Sequence, residues 1–408
     1  MDLYSFESRA TLQAMKCALF VASGLAFSPV FLAQAVDVAP TDASAPLVEI
    51  EPITAEQLES AHEFARQIAW TLGQGDGALI KAAIDYGALI SEVTEDLEVT
   101  DEFKSELVLE LREDDAFANL VIGDRGHSAP YACIAVEPKA AEIIATFRHR
   151  PTTGIEYHRY RLQPVAEGVF RVLDIEFVAA GESWGEMVRR RAITRLVAKN
   201  RDLVEALTES DALSLEHERE LGKVREALAR HDGRAALKLL DALPESFKAT
   251  RRIVALTLDA ARLVEGVPFA EVHEAAKKSF PDDAGIDLFA WRHAVSLDTR
   301  EGLLELHGAL ESALVPDSYR DALAAEVHVT TGSLRKAIAL AEIAVTREPD
   351  LEQAWAVLLD VTLARMDFQR VREVLNVLET RFAREMDLEG DLRFAGYLES
   401  GEYAADAR

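Results

Sequence analysis

Apolar residues follow the 3.6-residue period of amphipathic helices at first, then a two-residue period, and then a helical period again to the end of the chain. Three helices are predicted in the first part, over residues 54–72, 78–90 and 101–112. Thr54 with Gln57 forms a capping box for the first helix, and Thr100 caps the third. Residues 54–112 are therefore predicted to form a short helical segment.

Alternation between apolar and polar residues begins after Pro130 and predicts strands. Four strands are predicted, over Tyr131–Val136, Glu142–His149, Ile155–Leu162 and Phe170–Phe177. Their short connections indicate an antiparallel meander, and an amphipathic helix is predicted to follow over Ser183–Leu207. Helices that cover one face of a four-stranded antiparallel sheet define an α+β domain.

The last predicted strand carries a family resemblance. The sequence Gly168-Val169-Phe170-Arg171-Val172-Leu173-Asp174-Ile175, followed by Gly181-Glu182-Ser183, resembles the closing strand of nuclear-transport-factor-2-like and cystatin-like domains. Phe170 stands where those families usually have tryptophan. The resemblance implies a cone-shaped sheet with an apolar pocket, a fold used for ligand binding, for dimerisation and occasionally for catalysis.

The C-terminal half shows an internal period. Turn residues are separated by 33, 33, 33, 35 and 34 residues, at Gly233, Gly266, Thr299, Gly332, Asp367 and Gly401. Ala337, Ala344, Pro349 and Trp355-x-x-Leu358 resemble part of the tetratricopeptide motif, although Leu359 replaces its glycine, and Thr362 and Ala341 replace its aromatic residues. The resemblance implies an all-α solenoid over residues 209–408.

The N-terminal segment has the layout of a secretory signal peptide. Lys16 precedes an uncharged run from Cys17 to Ala35, which closes on the small-x-small sequence Ala33-Gln34-Ala35. Cleavage after Ala35 is expected, and Met15 is a second candidate start because Asp2 and Glu7 do not suit a signal peptide. An uncleaved membrane anchor is the alternative. Domains are thus predicted as a signal peptide (1–35), a Pro-rich linker (36–53), an α+β domain (54–182), a connecting helix (183–208) and helical repeats (209–408).

Charge narrows the range of partners. The 408 residues include 71 Asp and Glu against 44 Lys and Arg, a formal net charge of −27. Nucleic acid is therefore excluded as a partner, because phosphate backbones are bound mainly by Lys and Arg. Two acidic segments, residues 36–124 (21 acidic, 4 basic) and 202–408 (40 acidic, 25 basic), flank a basic one, residues 125–201 (8 acidic, 13 basic).

A symmetric hairpin at Pro151–Gly154 would place Arg148 opposite Tyr157. Alternation then puts four arginines on one face of the sheet, namely Arg148, Arg150, Arg159 and Arg161, and puts Ile143, Phe147, Tyr160 and Leu162 on the other. This face is either a surface for an anionic ligand or acidic partner, or a counterweight to the protein's own carboxylates.

Few residues suggest chemistry. His62-Glu63, His217-Glu218 and His273-Glu274 each begin a zinc-protease motif, but none has the second histidine that binds the metal. His127 and Ser128 form a weak hydrolase candidate without a nucleophile-elbow motif. Cys133 is the only cysteine after residue 35, so no intrachain disulfide is expected in the mature chain. No cofactor or metal is expected.

These patterns favour an exported, non-enzymatic protein that binds another protein or peptide through its helical repeats. Groove positions on the first helices of repeats are predicted at Tyr319, Glu326, Gln353 and Asp360. No membrane span is expected after signal cleavage. A small-molecule or lipid carrier that uses the α+β pocket is the first alternative, and a hydrolase is the second.

Overall fold

Side chains that accept backbone hydrogen bonds mark the start of several of the first helices. The structure is a computed structural model that describes residues 52–114, 130–150, 154–200, 204–205, 207–297 and 300–406. It begins with helices α1 (Ala55–Gly73), α2 (Ala78–Ala83), α3 (Tyr86–Val93) and α4 (Asp101–Glu113). The predicted capping box is confirmed, since Thr54 Oγ1 accepts from Gln57 N and Gln57 Oε1 accepts from Thr54 N. The predicted cap at Thr100 is also confirmed.

The single helix predicted over residues 78–90 is wrong, because the chain breaks between α2 and α3. Ile84 is extended and forms a bridge with Val172, and Asp85 N donates to Val172 O at 2.9 Å. The Asp85 carboxylate then caps α3 by accepting from Ala88 N. A contact with β4, distant in sequence, therefore overrides the continuous helical pattern.

The strands form one antiparallel sheet in the order β1-β2-β3-β4-β5. Its strands are β1 (Tyr131–Lys139), β2 (Glu142–His149), β3 (Glu156–Ala166), β4 (Val169–Phe177) and β5 (Glu182–Ser183). The prediction of four strands missed β5, which has only two residues. The predicted hairpin register is confirmed, because Arg148 pairs with Tyr157 across β2 and β3.

Helices cover one face of this sheet. Phe147, Tyr160 and Leu162 point to that face and are fully buried in a core shared with α1. The rings of Phe64 and Phe170 stack at 5.5 Å between centroids, which joins α1 to β4. The face is therefore packed by side chains from the helices, as in an α+β domain.

Helix α5 (Trp184–Lys199) follows directly from β5. Ser183 and Glu186 form a capping box at its start. The helix ends earlier than the predicted boundary at Leu207, because Asn200 has extended backbone dihedrals. The apolar period of the sequence continues past this break, so the predicted helix is longer than the observed one.

The C-terminal half is mostly helical. It contains α6 (Glu209–Ala229), α7 (Gly233–Asp241), α8 (Glu245–Lys248), α9 (Arg251–Arg262), α10 (Phe269–Ser279), α11 (Ala284–Ser296), α12 (Arg300–Ala313), α13 (Ser318–Thr330), α14 (Leu334–Arg347), α15 (Glu352–Ala364), α16 (Phe368–Phe382), a 3₁₀ turn (Leu392–Phe394), α17 (Ala395–Leu398) and α18 (Gly401–Asp406). Apart from the four-residue α8, helices up to α16 follow one another as pairs joined by short turns. Each pair contacts the next one.

Three of these turns share one backbone geometry. His231, Gly332 and Met366 adopt left-handed φ values of 56°, 75° and 56° just after α6, α13 and α15. In each turn, the following residue donates its backbone N–H to the carbonyl five residues earlier, at 2.8 to 3.0 Å. This is the bond that closes a helix C-terminus when a residue adopts the left-handed conformation.

The sheet and the C-terminal helices share a hydrophobic core. Ile155, Tyr157 and Val178 are buried together with Leu258 of α9 and Trp291 of α11. Residues Val48–Arg408 accordingly form one compact unit. Among the described helices, none combines the length and the apolar character needed to span a membrane.

Candidate functional site

A buried ionic cluster lies where the sheet meets the C-terminal helices. Arg148 is 2% exposed on the sheet face opposite α1. Its Nη1 donates to Asp317, which precedes α13, and its Nη2 donates to Glu348 Oε1 at 2.6 Å. The guanidinium thus joins β2 to two positions in the helical half, 169 and 200 residues away in sequence.

Asp317 is the centre of this cluster. Its carboxylate caps α13 by accepting from Tyr319 N at 3.0 Å, and it also accepts from the hydroxyl of Tyr157. Burial by itself raises the pKa of Asp317, but the charge of Arg148 and the Tyr157 hydrogen bond outweigh it, so the pKa lies below the usual value. The carboxylate therefore stays ionised inside the protein at neutral pH.

The four predicted arginines contact different groups, except that Arg148 and Arg150 share the ring of Tyr319. Arg150 stacks on the ring of Tyr319, with its guanidinium carbon 4.7 Å from the ring centroid. Arg159 lies 3.4 Å from Glu176, and Arg161 lies 2.9 Å from both Glu142 and Glu92. Each contact is made within the chain. The geometry favours internal charge balance over one common anion-binding surface.

The four predicted groove residues also differ in environment. Tyr319 is half-buried beneath Arg148 and Arg150, whereas Glu326 is exposed on α13. On α15, Gln353 is half-buried and Asp360 pairs with Arg393 of the C-terminal 3₁₀ turn at 2.6 Å. The four positions therefore do not share one environment: two of them contact arginines, Glu326 is exposed, and Gln353 is half-buried.

A buried hydrogen-bonded chain crosses the inner face of the sheet, and sequence reasoning missed it. Tyr131 Oη lies 2.8 Å from both His158 Nδ1 and Tyr160 Oη. Burial, together with the neighbouring His149 and Arg292, holds the pKa of His158 well below its usual value, so the imidazole is neutral. The three side chains are at most 8% exposed, which identifies them as part of the core. The sequence did contain a signal for this chain, because the alternation of the strands places these polar residues on the same face as the apolar ones.

The structure also describes the places where a carrier pocket and a reactive cysteine could lie. The inner sheet face, where a carrier pocket was expected, is filled by Phe147, Tyr160 and Leu162, each 0% exposed. The hydrolase candidates His127 and Ser128 lie outside the described residues. Cys133 has no disulfide partner in the described part of the chain, and burial raises the pKa of its thiol to about 12. A thiol of that pKa is a poor nucleophile at neutral pH.

An open cleft of about 910 Å³ lies elsewhere, between α5 and the helices α6, α9 and α11. Met187 of α5 lines one wall, and Ala255 and Leu256 of α9 line another. Arg190 and Arg252 are among the charged residues of the cleft. Its volume falls within the range of small-molecule sites. Sequence analysis missed the cleft because its walls come from segments that are distant in sequence.

Comparison with protein families, curated proteins and solved structures found no significant match to this chain. The functional argument therefore rests on the residues and contacts described above.

Proposed function

We propose that the protein is an exported, non-enzymatic interaction or scaffold protein, in which residues 209–408 form a tetratricopeptide-like solenoid that binds another protein or peptide. The observation that carries this proposal is a contact that recurs at the repeat spacing. His273 Nε2 of α10 lies 3.2 Å from Asp287 Oδ1 of α11, and His307 Nε2 of α12 lies 2.9 Å from Asp321 Oδ1 of α13.

His273 and His307 are 34 residues apart in sequence, and so are Asp287 and Asp321. Each pair joins the second helix of one hairpin to the first helix of the next. A similar contact at the same spacing between successive hairpins supports a regular stacking of hairpins, as in solenoids. The shared turn geometry at His231, Gly332 and Met366 supports the same period.

A regular array of this kind presents an extended surface, formed by side chains that successive first helices contribute. Glu326 of α13 and Gln353 of α15 are our candidates for that surface. The partner would be a protein or peptide segment with groups that hydrogen bond to a carboxylate and an amide. Nucleic acid does not suit an array that carries 38 acidic and 25 basic residues.

Export is the second part of the proposal, and it rests on residues 1–35 alone. N-terminal sequencing of the protein from its native host should begin at Val36. A mature chain that still begins at Met1 or Met15 would contradict export with cleavage. Affinity capture from the envelope fraction, followed by calorimetry with the purified partner, tests the binding function. No binding by a folded, purified chain would contradict it.

A further inference from the structure

The cleft between α5 and α9 has an excess of positive charge at one position. Arg190 pairs with Glu182, and Arg225 pairs with Glu218. Arg252 shares these two carboxylates at a longer distance, with Nε 3.8 Å from Glu182 Oε1 and Nη2 3.8 Å from Glu218 Oε2. Three guanidinium groups therefore face two carboxylates in this part of the cleft.

Arg252 is the least satisfied of the three. Its side chain is only 15% exposed, and its Nη1 atom is buried with no hydrogen-bond partner among the described residues. Burial lowers the pKa of Arg252, and the neighbouring charges of Arg190 and Arg225 lower it further against the opposing effect of the two glutamates. Nε and Nη2 are not among the buried atoms, and at 3.8 Å they are too far from the two carboxylates for a hydrogen bond, so a ligand carboxylate in the cleft would be a closer acceptor for them than either glutamate.

Apolar side chains lie beside this charge. Met187 on α5 and Leu256 on α9 are partly buried and line the cleft from its two walls, and Ala255 lies next to Leu256. A ligand with an apolar body could replace water along both walls, while an anionic end reaches the arginine. Small-molecule sites commonly combine an apolar lining with a few polar groups that fix the orientation of the ligand.

We propose that this cleft binds a small amphipathic organic anion, whose carboxylate accepts hydrogen bonds from Arg252 and whose apolar chain contacts Met187 and Leu256. An inorganic anion would satisfy the arginine but leave the apolar walls in water. An extended peptide is less suitable, because the only edge strand that lines the cleft among the described residues is the two-residue β5 (Glu182–Ser183), and most of the other lining residues lie on helices. The inference is independent of partner binding by the helical repeats.

Isothermal titration calorimetry with three probes tests the proposal on the full mature chain. Decanoate has both the apolar chain and the carboxylate, decanol has the chain alone, and acetate has the carboxylate alone. We expect saturable binding of decanoate, with decanol and acetate each at least about tenfold weaker, since each lacks one of the two groups that would contact the cleft. Decanol that binds as tightly as decanoate, or no saturable decanoate binding, would overturn the proposal.

Variants locate the site. Arg252→Gln should weaken decanoate binding by about tenfold or more, whereas Arg219→Gln, an exposed position on α6, should leave it unchanged. Circular dichroism establishes that each variant is folded. Leu256→Asn is a second variant that keeps the arginine, and it should weaken decanoate binding several-fold. Unchanged affinity in Leu256→Asn, or in a folded Arg252→Gln, would overturn the proposal.

Discussion

Arg148 and Asp317 form an ion pair in the interior of the protein, with their side chains 3% and 0% exposed. The arginine comes from β2 and the aspartate caps α13, so the pair fixes the sheet to the helical half. Removing Arg148 leaves the Asp317 charge buried with weaker compensation, because the nearest remaining cation, Arg320, lies 3.9 Å away. The contact therefore adds to the shared hydrophobic core in joining the two halves.

Arg148→Met should lower the free energy of unfolding by about 3–5 kcal/mol, because the Asp317 carboxylate remains buried. Arg159→Met is the matched control, since Arg159 and Glu176 are 31% and 47% exposed, and it should cost less than about 1 kcal/mol. Urea denaturation measures both. Adding Asp317→Asn to Arg148→Met should recover part of the loss. Equal effects of the two single substitutions would contradict the buried pairing.

The buried histidines of the sheet should make the stability of the protein sensitive to mild acid. The pKa of His158 lies well below its ordinary value of 6.5, and the pKa of His149 is also lowered by burial. Below about pH 6.5 the unfolded chain takes up protons that the folded chain does not bind, so the free energy of unfolding falls as the pH decreases. Each histidine lowers it by at most about 1.4 kcal/mol for each pH unit.

Urea midpoints at pH 7.5 and 5.5 measure this effect. His158→Gln keeps a side chain that can hydrogen bond to Tyr131 but cannot titrate. The difference between the two pH values should shrink in this variant without vanishing, because His149 remains. A variant that loses as much stability as the wild-type protein between pH 7.5 and 5.5 would contradict the lowered pKa of His158.

The repeated turn geometry predicts opposite effects at equivalent positions. Met366 is 72% exposed and adopts φ 56°, so Met366→Gly should stabilise the protein by about 0.5–1 kcal/mol by relieving the left-handed strain. Gly332 adopts φ 75° with open space around it, so Gly332→Ala should destabilise by about 1 kcal/mol. Thermal denaturation of both variants checks the signs, and changes of the same sign would contradict a shared turn.

Local patterns predicted much of the fold. The position of a tight hairpin was enough to place Arg148 opposite Tyr157, and the periodic turn residues Gly332 and Asp367 lie in the turns between two helices. The break at Ile84 could not be predicted, because it depends on a bridge to Val172. Neither could the partners of Arg148 or the cleft at Arg252, since contacts between segments that are distant in sequence leave no trace in periodicity.

Partner binding by the helical repeats is the central claim, and calorimetry with the captured, purified partner tests it most directly. A folded variant with Glu326→Lys and Gln353→Lys reverses charge on α13 and adds charge on α15. Glu342→Lys, an exposed position on α14, is the matched control. We expect the double variant to bind at least about tenfold more weakly and the control to bind like the wild-type protein. Equal affinity of all three proteins would contradict a partner surface on the first helices of the repeats.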